Sequence, residues 1–148
     1  MKVVRKNGFT LIEMLLVLMI ISVFTALSIP HIEKVAEVKR ENYMIEQLTE
    51  DILYAQQYAM AHKTAVQVIF AQGQAHYHII EMGERQRVLI ERSLPDKWIF
   101  ELATLQMPLA FLANGNVNKA GTVFIKNNTR GYKIVFLLGK GRFYVQKM

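Results

Sequence analysis

The sequence predicts an α+β fold: a long, kinked amino-terminal helix, one half suited to a membrane and the other amphipathic, followed by a small antiparallel two-sheet β head. Three observations carry this. Phe9 to Ile29 form an apolar run with a lone charge, Glu13. Apolar side chains then recur every three or four residues as far as Ala59. From Ala65 the period falls to two, and turn residues separate short runs. The chain divides accordingly into 1–8, 9–30, 31–63 and 64–148.

The first run is long enough to cross a bilayer. About 21 residues from Phe9 to Ile29 rise about 31 Å as a helix, beyond the usual core of a secretory signal of about 7 to 15 residues. Lys2, Arg5 and Lys6 precede it and favour a cytoplasmic amino terminus. Ala26-Leu27-Ser28 offers a small-x-small cleavage site, so an ordinary secretory signal is the competing reading, which the length of the run opposes. Glu13 is the anomaly. A carboxylate in a membrane helix costs roughly 2.5 to 3.5 kcal/mol on insertion scales, so a partner or a function must compensate.

Pro30 closes this half. It removes a backbone donor and crowds the preceding turn, which predicts a kink rather than a straight continuation; two separate helices are the alternative. Beyond it Ile32, Val35, Val38, Ile45, Leu48, Ile52, Ala55 and Ala59 mark one face, with Glu, Lys, Arg and Gln between them. The helix is expected to run from about Phe9 to His62.

Alternation then takes over. Ala65 to Phe70, Ala75 to Ile80, Arg87 to Arg92, Trp98 to Leu102, Leu109 to Leu112, Thr122 to Lys126, Tyr132 to Leu138 and Arg142 to Gln146 read as strands in a meander. Gln72-Gly73-Gln74, Met82-Gly83-Glu84, Pro95-Asp96, Pro108, Asn114-Gly115, Asn127 to Gly131 and Gly139-Lys140-Gly141 punctuate them. So many short strands point to a sandwich or two packed sheets, with no long helix after His62.

Composition excludes several classes. There is no cysteine, hence no thiol catalysis, thiolate metal site or disulfide. The charge is +6, from 18 Lys and Arg against 12 Asp and Glu; without Lys2, Arg5 and Lys6 the balance is 15 against 12, too small an excess to argue for nucleic-acid binding. No Gly-rich phosphate loop, nucleophile elbow or spaced carboxylate pair appears, so no enzyme, catalytic residue or cofactor is predicted. His76 and His78 share a strand face as half a metal site, yet no third ligand is evident and no metal is predicted. His31 and His62 read as polar boundary residues of the helix, and Asn127-Asn128-Thr129 as a hairpin turn.

Lys6-Asn7-Gly8-Phe9-Thr10-Leu11-Ile12-Glu13 resembles the processing motif of type IV prepilins and pseudopilins. The resemblance implies that a prepilin peptidase cuts after Gly8, removing the leader 1–8, and that Phe9 becomes the N-methylated amino terminus. Residues 9–30 are then the transmembrane and later filament-core helix, 31–63 the amphipathic helix, and 64–148 the head. It further implies that Glu13 pairs with the α-amine of Phe9 of a neighbouring subunit and sets the axial register. An amine of pKa about 8 is mostly cationic at neutral pH, which suits such a pair. The four-residue spacing also permits the pair within one helix.

A long helix followed only by strands resembles minor pseudopilins of the GspH and FimT kind. Leu48-Thr49-Glu50-Asp51-Ile52 with Gln56-Gln57, Phe100-Glu101-Leu102, and Leu138-Gly139-Lys140-Gly141-Arg142 narrow the resemblance to minor pseudopilins of the Gram-positive competence apparatus. The implied role is a structural one, in DNA uptake for transformation. The implied partners are other pilin or pseudopilin subunits, the prepilin peptidase, an assembly ATPase, a polytopic platform protein, and membrane lipid before assembly. The implied location is the cell membrane, single-pass with the amino terminus in the cytoplasm and the head outside, then the cell surface.

A type II secretion system or type IV pilus is the alternative machine, and a membrane-anchored binding domain that never polymerises is the alternative class. Lys126, Arg130, Lys133, Lys140, Arg142 and Lys147 interleave with Tyr132, Phe143 and Tyr144, a pattern that could touch a nucleic-acid backbone. Strand alternation with aromatics inward and cations outward yields the same string, so direct DNA contact is not favoured.

Overall fold

The structure, a computed structural model, describes residues 8–148, with side chains described throughout except for 26–34. Among the described residues one helix, α1, spans Leu11–His62, 52 residues, and eight strands follow: β1 Ala65–Phe70, β2 His76–Met82, β3 Arg87–Ser93, β4 Ile99–Leu102, β5 Leu109–Phe111, β6 Gly121–Lys126, β7 Gly131–Phe136 and β8 Phe143–Lys147. The chain separates into two units, Met1–Asn42 and Tyr43–Met148.

In the first unit the apolar side chains from Leu11 to Phe24 are between 48% and 82% exposed, on every side of the helix. Among the described residues no helix is long and apolar enough to cross a membrane. The run expected to do so, Phe9 to Ile29, has its side chains described only to Thr25. Pro30, with the kink expected there, His31 and Ile32 lie outside the described side chains. Val35 and Val38, expected on the buried face, are 57% and 42% exposed.

In the second unit the face is buried. Met44, Leu48, Ile52, Ala55 and Ala59 follow the four-residue ridge and are at most 5% exposed. Ala55 and Ala59 are fully buried there. Lys63 ends the helix in the left-handed conformation at φ 54°, and Thr64 N–H reaches back to the Ala59 carbonyl at 3.2 Å, which satisfies an orphan acceptor.

The strands form two four-stranded antiparallel sheets, ordered β3-β2-β1-β5 and β4-β6-β7-β8. The expected meander therefore holds only in part. β1 to β3 run in sequence, but β4 joins the second sheet and β5 returns to pair with β1. Two local causes are visible. β4 docks on the β1–β2 turn, where Gly73 N–H donates to Phe100 O at 2.7 Å and Phe100 N–H to Gln74 O at 2.9 Å. Leu109 and Phe111, both fully buried, carry β5 to the remaining edge of β1.

Alternation supplies the core. Val66, Val68 and Phe70 point inward from β1 while Ala65, Gln67 and Ile69 do not. Phe70 packs with Phe100 at 5.0 Å and Phe136 at 6.3 Å between ring centroids, which joins the two sheets; Tyr77 meets Phe100 edge-on at 5.9 Å.

Two polar clamps bind helix to head. Asp51, on the buried ridge, accepts from the Tyr77 hydroxyl at 2.5 Å and from Arg92 Nε at 2.6 Å and Nη2 at 3.3 Å. Burial, and then the bond to Asp51, push the Tyr77 pKa well above the ordinary tyrosine range. The same carboxylate raises that of Arg92. One turn on, Gln56 Nε2 donates to Gly115 O at 2.8 Å and Lys140 O at 3.0 Å, gathering two loops. A Cβ on Gly141 would collide with the Gly115 carbonyl and the Gln56 amide, and its φ of 58° also favours glycine.

Candidate functional site

Gly8, Phe9 and Glu13 lie at the start of α1. Gly8 and Phe9 precede the helix, are exposed, and make an open segment: a Cβ placed on Gly8 meets nothing within 4 Å, and Phe9 is 80% exposed. Thr10 caps the helix. Its Oγ1 accepts from Glu13 N–H at 3.3 Å, while Glu13 Oε2 accepts from Thr10 N–H at 3.4 Å, and Met14 N–H makes the first helical bond to Thr10 O at 3.2 Å. This is a capping box, in which a Thr and a Glu three residues later satisfy each other's backbone donor. Its Thr-x-x-Glu spacing was available in the sequence and carries a role for Glu13 that charge alone does not suggest. The carboxylate also sits in the first turn, where the helix dipole favours a negative charge.

Lys2, Arg5 and Lys6 lie outside the described residues. Glu13 is exposed.

His62 stacks on Tyr58 at 3.9 Å, with Nδ1 3.2 Å from the Tyr58 carbonyl. His76 and His78 share a face with ring centroids 6.5 Å apart, and no group of three metal-ligating side chains occurs among the described residues. Asn127 Oδ1 accepts from the N–H groups of Thr129 at 2.9 Å and Arg130 at 2.7 Å, closing the β6–β7 turn. Of the carboxyl-terminal aromatics, Tyr132 is buried and Phe143 partly so, but Tyr144 is 46% exposed and faces out, against the expected alternation. Lys126 pairs with Glu101, and Lys147 lies 5.6 Å above the Tyr132 ring.

Comparison with known proteins places this arrangement. The prokaryotic N-terminal methylation motif matches residues 4–29. Competence protein ComGD of Bacillus subtilis (strain 168) is 30% identical over 151 residues, covering 99% of this chain and 97% of that one. The chain belongs to the ComGD family of type IV pilin-like pseudopilins. The fold of this pseudopilin agrees: the minor pseudopilin EpsH from the type 2 secretion system of Vibrio cholerae superposes with a TM-score of 0.55 over 75% of this chain and 95% of that one, at 11% identity. At that identity the likeness is one of fold. Asp51, Tyr77, Arg92 and Gln56, which fix the head of this pseudopilin on its helix, were not readable as partners in the sequence, since 26 to 84 residues separate them from what they bind.

Proposed function

We propose that this chain is a minor pseudopilin of a competence pseudopilus, a structural subunit that helps bring external DNA across the cell wall for transformation. The observation that carries the reading is a Gly8-Phe9 bond standing open before a helix whose apolar side chains are exposed all round, with Glu13 in its first turn. A helix apolar on every side needs lipid or other helices around it. The membrane serves first, and a bundle of like helices after assembly. Prepilin peptidase removes residues 1–8, Phe9 is N-methylated, and Glu13 receives the α-amine of Phe9 of a neighbouring pseudopilin. Pro30 bends the stalk between the membrane half and the half that carries the head outside the cell.

An assembly ATPase and a polytopic platform protein lift the subunit from the bilayer. No bond-making step belongs to the subunit itself. The competence assignment draws on the near full-length similarity to ComGD; the fold shared with EpsH supports the secretion alternative only at the level of architecture, which does not fix cargo.

The test has two readouts. Mass spectrometry of the chain purified from cells is expected to find methyl-Phe9 at the amino terminus. Glu13→Val is expected to abolish incorporation into filaments and to lower transformation frequency. Normal uptake and assembly with Glu13→Val would refute the assignment, and an intact Met1 or a start at Ile29 would refute the pseudopilin pathway.

A further inference from the structure

We propose that the Thr10–Glu13 capping box holds the start of α1 downstream of the Gly8–Phe9 bond, which makes Thr10 a positioning residue for leader removal. The proposal rests on the reading that this bond is the one cut.

Hydrolysis requires water to add to the Gly8 carbonyl carbon while the C–N bond to Phe9 breaks and the departing nitrogen takes up a proton. In a helix that carbonyl would be engaged by the N–H of Ile12, four residues on, and the surrounding turn would close the approach. The structure keeps it clear. α1 begins at Leu11, Gly8 and Phe9 are non-helical and exposed, and the two reciprocal bonds of Thr10 and Glu13 fix the boundary between them.

The boundary is contested by the sequence itself. Asn7 is a favoured helix-capping residue type, and a helix started there would take Gly8, Phe9 and Thr10 into its first turn, with the scissile bond inside. Gly8 resists this as a poor helix former. The capping box supplies the rest. Glu13 thus has two successive tasks: it accepts from the Thr10 N–H in the precursor, and its exposed carboxylate can meet an incoming α-amine after the leader has left.

The experiment measures cleavage of the full-length chain in membranes with prepilin peptidase, by initial rate. Loss of a capping side chain shifts a helix start by about fivefold, so Thr10→Val is expected to be cut about threefold to tenfold more slowly. Thr10→Ser, which keeps the hydroxyl, is expected to be cut at the parental rate. Adding Asn7→Ala to Thr10→Val removes the competing start and is expected to restore the rate. Cleavage of Thr10→Val at the parental rate overturns the proposal. Slow cleavage that Asn7→Ala does not restore also overturns it, because the peptidase would then be reading the Thr10 side chain itself. A parental chain that stays uncut at Gly8 identifies a different failure, that of the processing reading beneath it.

Discussion

Replacing Asp51 with alanine is expected to destabilise the head by about 2–3 kcal/mol. The magnitude comes from the groups the carboxylate leaves behind. Tyr77, 2% exposed, keeps a buried hydroxyl whose bond to Asp51 is gone, a penalty of about 1–3 kcal/mol. Arg92, whose side chain is 41% exposed, turns to solvent and adds less than about 1 kcal/mol. The assay is urea denaturation of the full chain in detergent, followed by fluorescence of Trp98, the single tryptophan, which is 6% exposed in the folded head. A double-mutant cycle sharpens it. In the Tyr77→Phe background no hydroxyl is stranded, so Asp51→Ala is expected to cost about 1–2 kcal/mol less than in the parent. A coupling below about 0.5 kcal/mol, or an Asp51→Ala variant as stable as the parent, would refute the argument that this carboxylate clamps helix to sheet.

The remaining expectations concern the same unit. Because burial raises the Tyr77 pKa in the folded chain, its contribution is intact below the unfolded value near 10 and declines above it, by about 1.4 kcal/mol per pH unit; urea melts between about pH 9 and 11 are expected to show a shallower loss in Tyr77→Phe than in the parent. Gly141→Ala drives a methyl into the Gly115 carbonyl and the Gln56 amide and is expected to cost about 2–3 kcal/mol by the same melts, whereas Gly139→Ala, with φ of 90° but open space around it, is expected to cost about 1. Lys63→Gly relieves a left-handed residue at the end of α1 and is expected to raise stability by roughly 0.5–1 kcal/mol. Ala55→Leu overfills the helix–sheet contact and is expected to lower it by about 1–3 kcal/mol.

What the sequence could carry was whatever is local. The helix end at His62 was legible because the four-residue ridge stops at Ala59 and a period of two begins at Ala65. β1 was legible because its alternation is strict, and the turn at Asn127 because an Asx side chain closes its own loop. Sheet membership was not. The alternation of Leu109 and Phe111 states which side is buried but not that β1 is the neighbour, and the same holds for β4 against the Gln72 to Gln74 turn. Val35 and Val38 matched the amphipathic spacing and are exposed, because spacing records a face without recording what covers it. At the candidate site the motif singles out Gly8, Phe9 and Glu13, while the partnership of Thr10 with Glu13 rests on a three-residue spacing as local as any turn.

The exchange of β4 and β5 has a consequence for how such a head is made. Neither sheet is a contiguous stretch of chain: the first waits for Phe111, and the second waits for Phe143 to Lys147 at the very end. A head emerging residue by residue can close its first sheet only after β4 has already been made for the other layer, and its second only when β8 arrives, so neither layer is finished early.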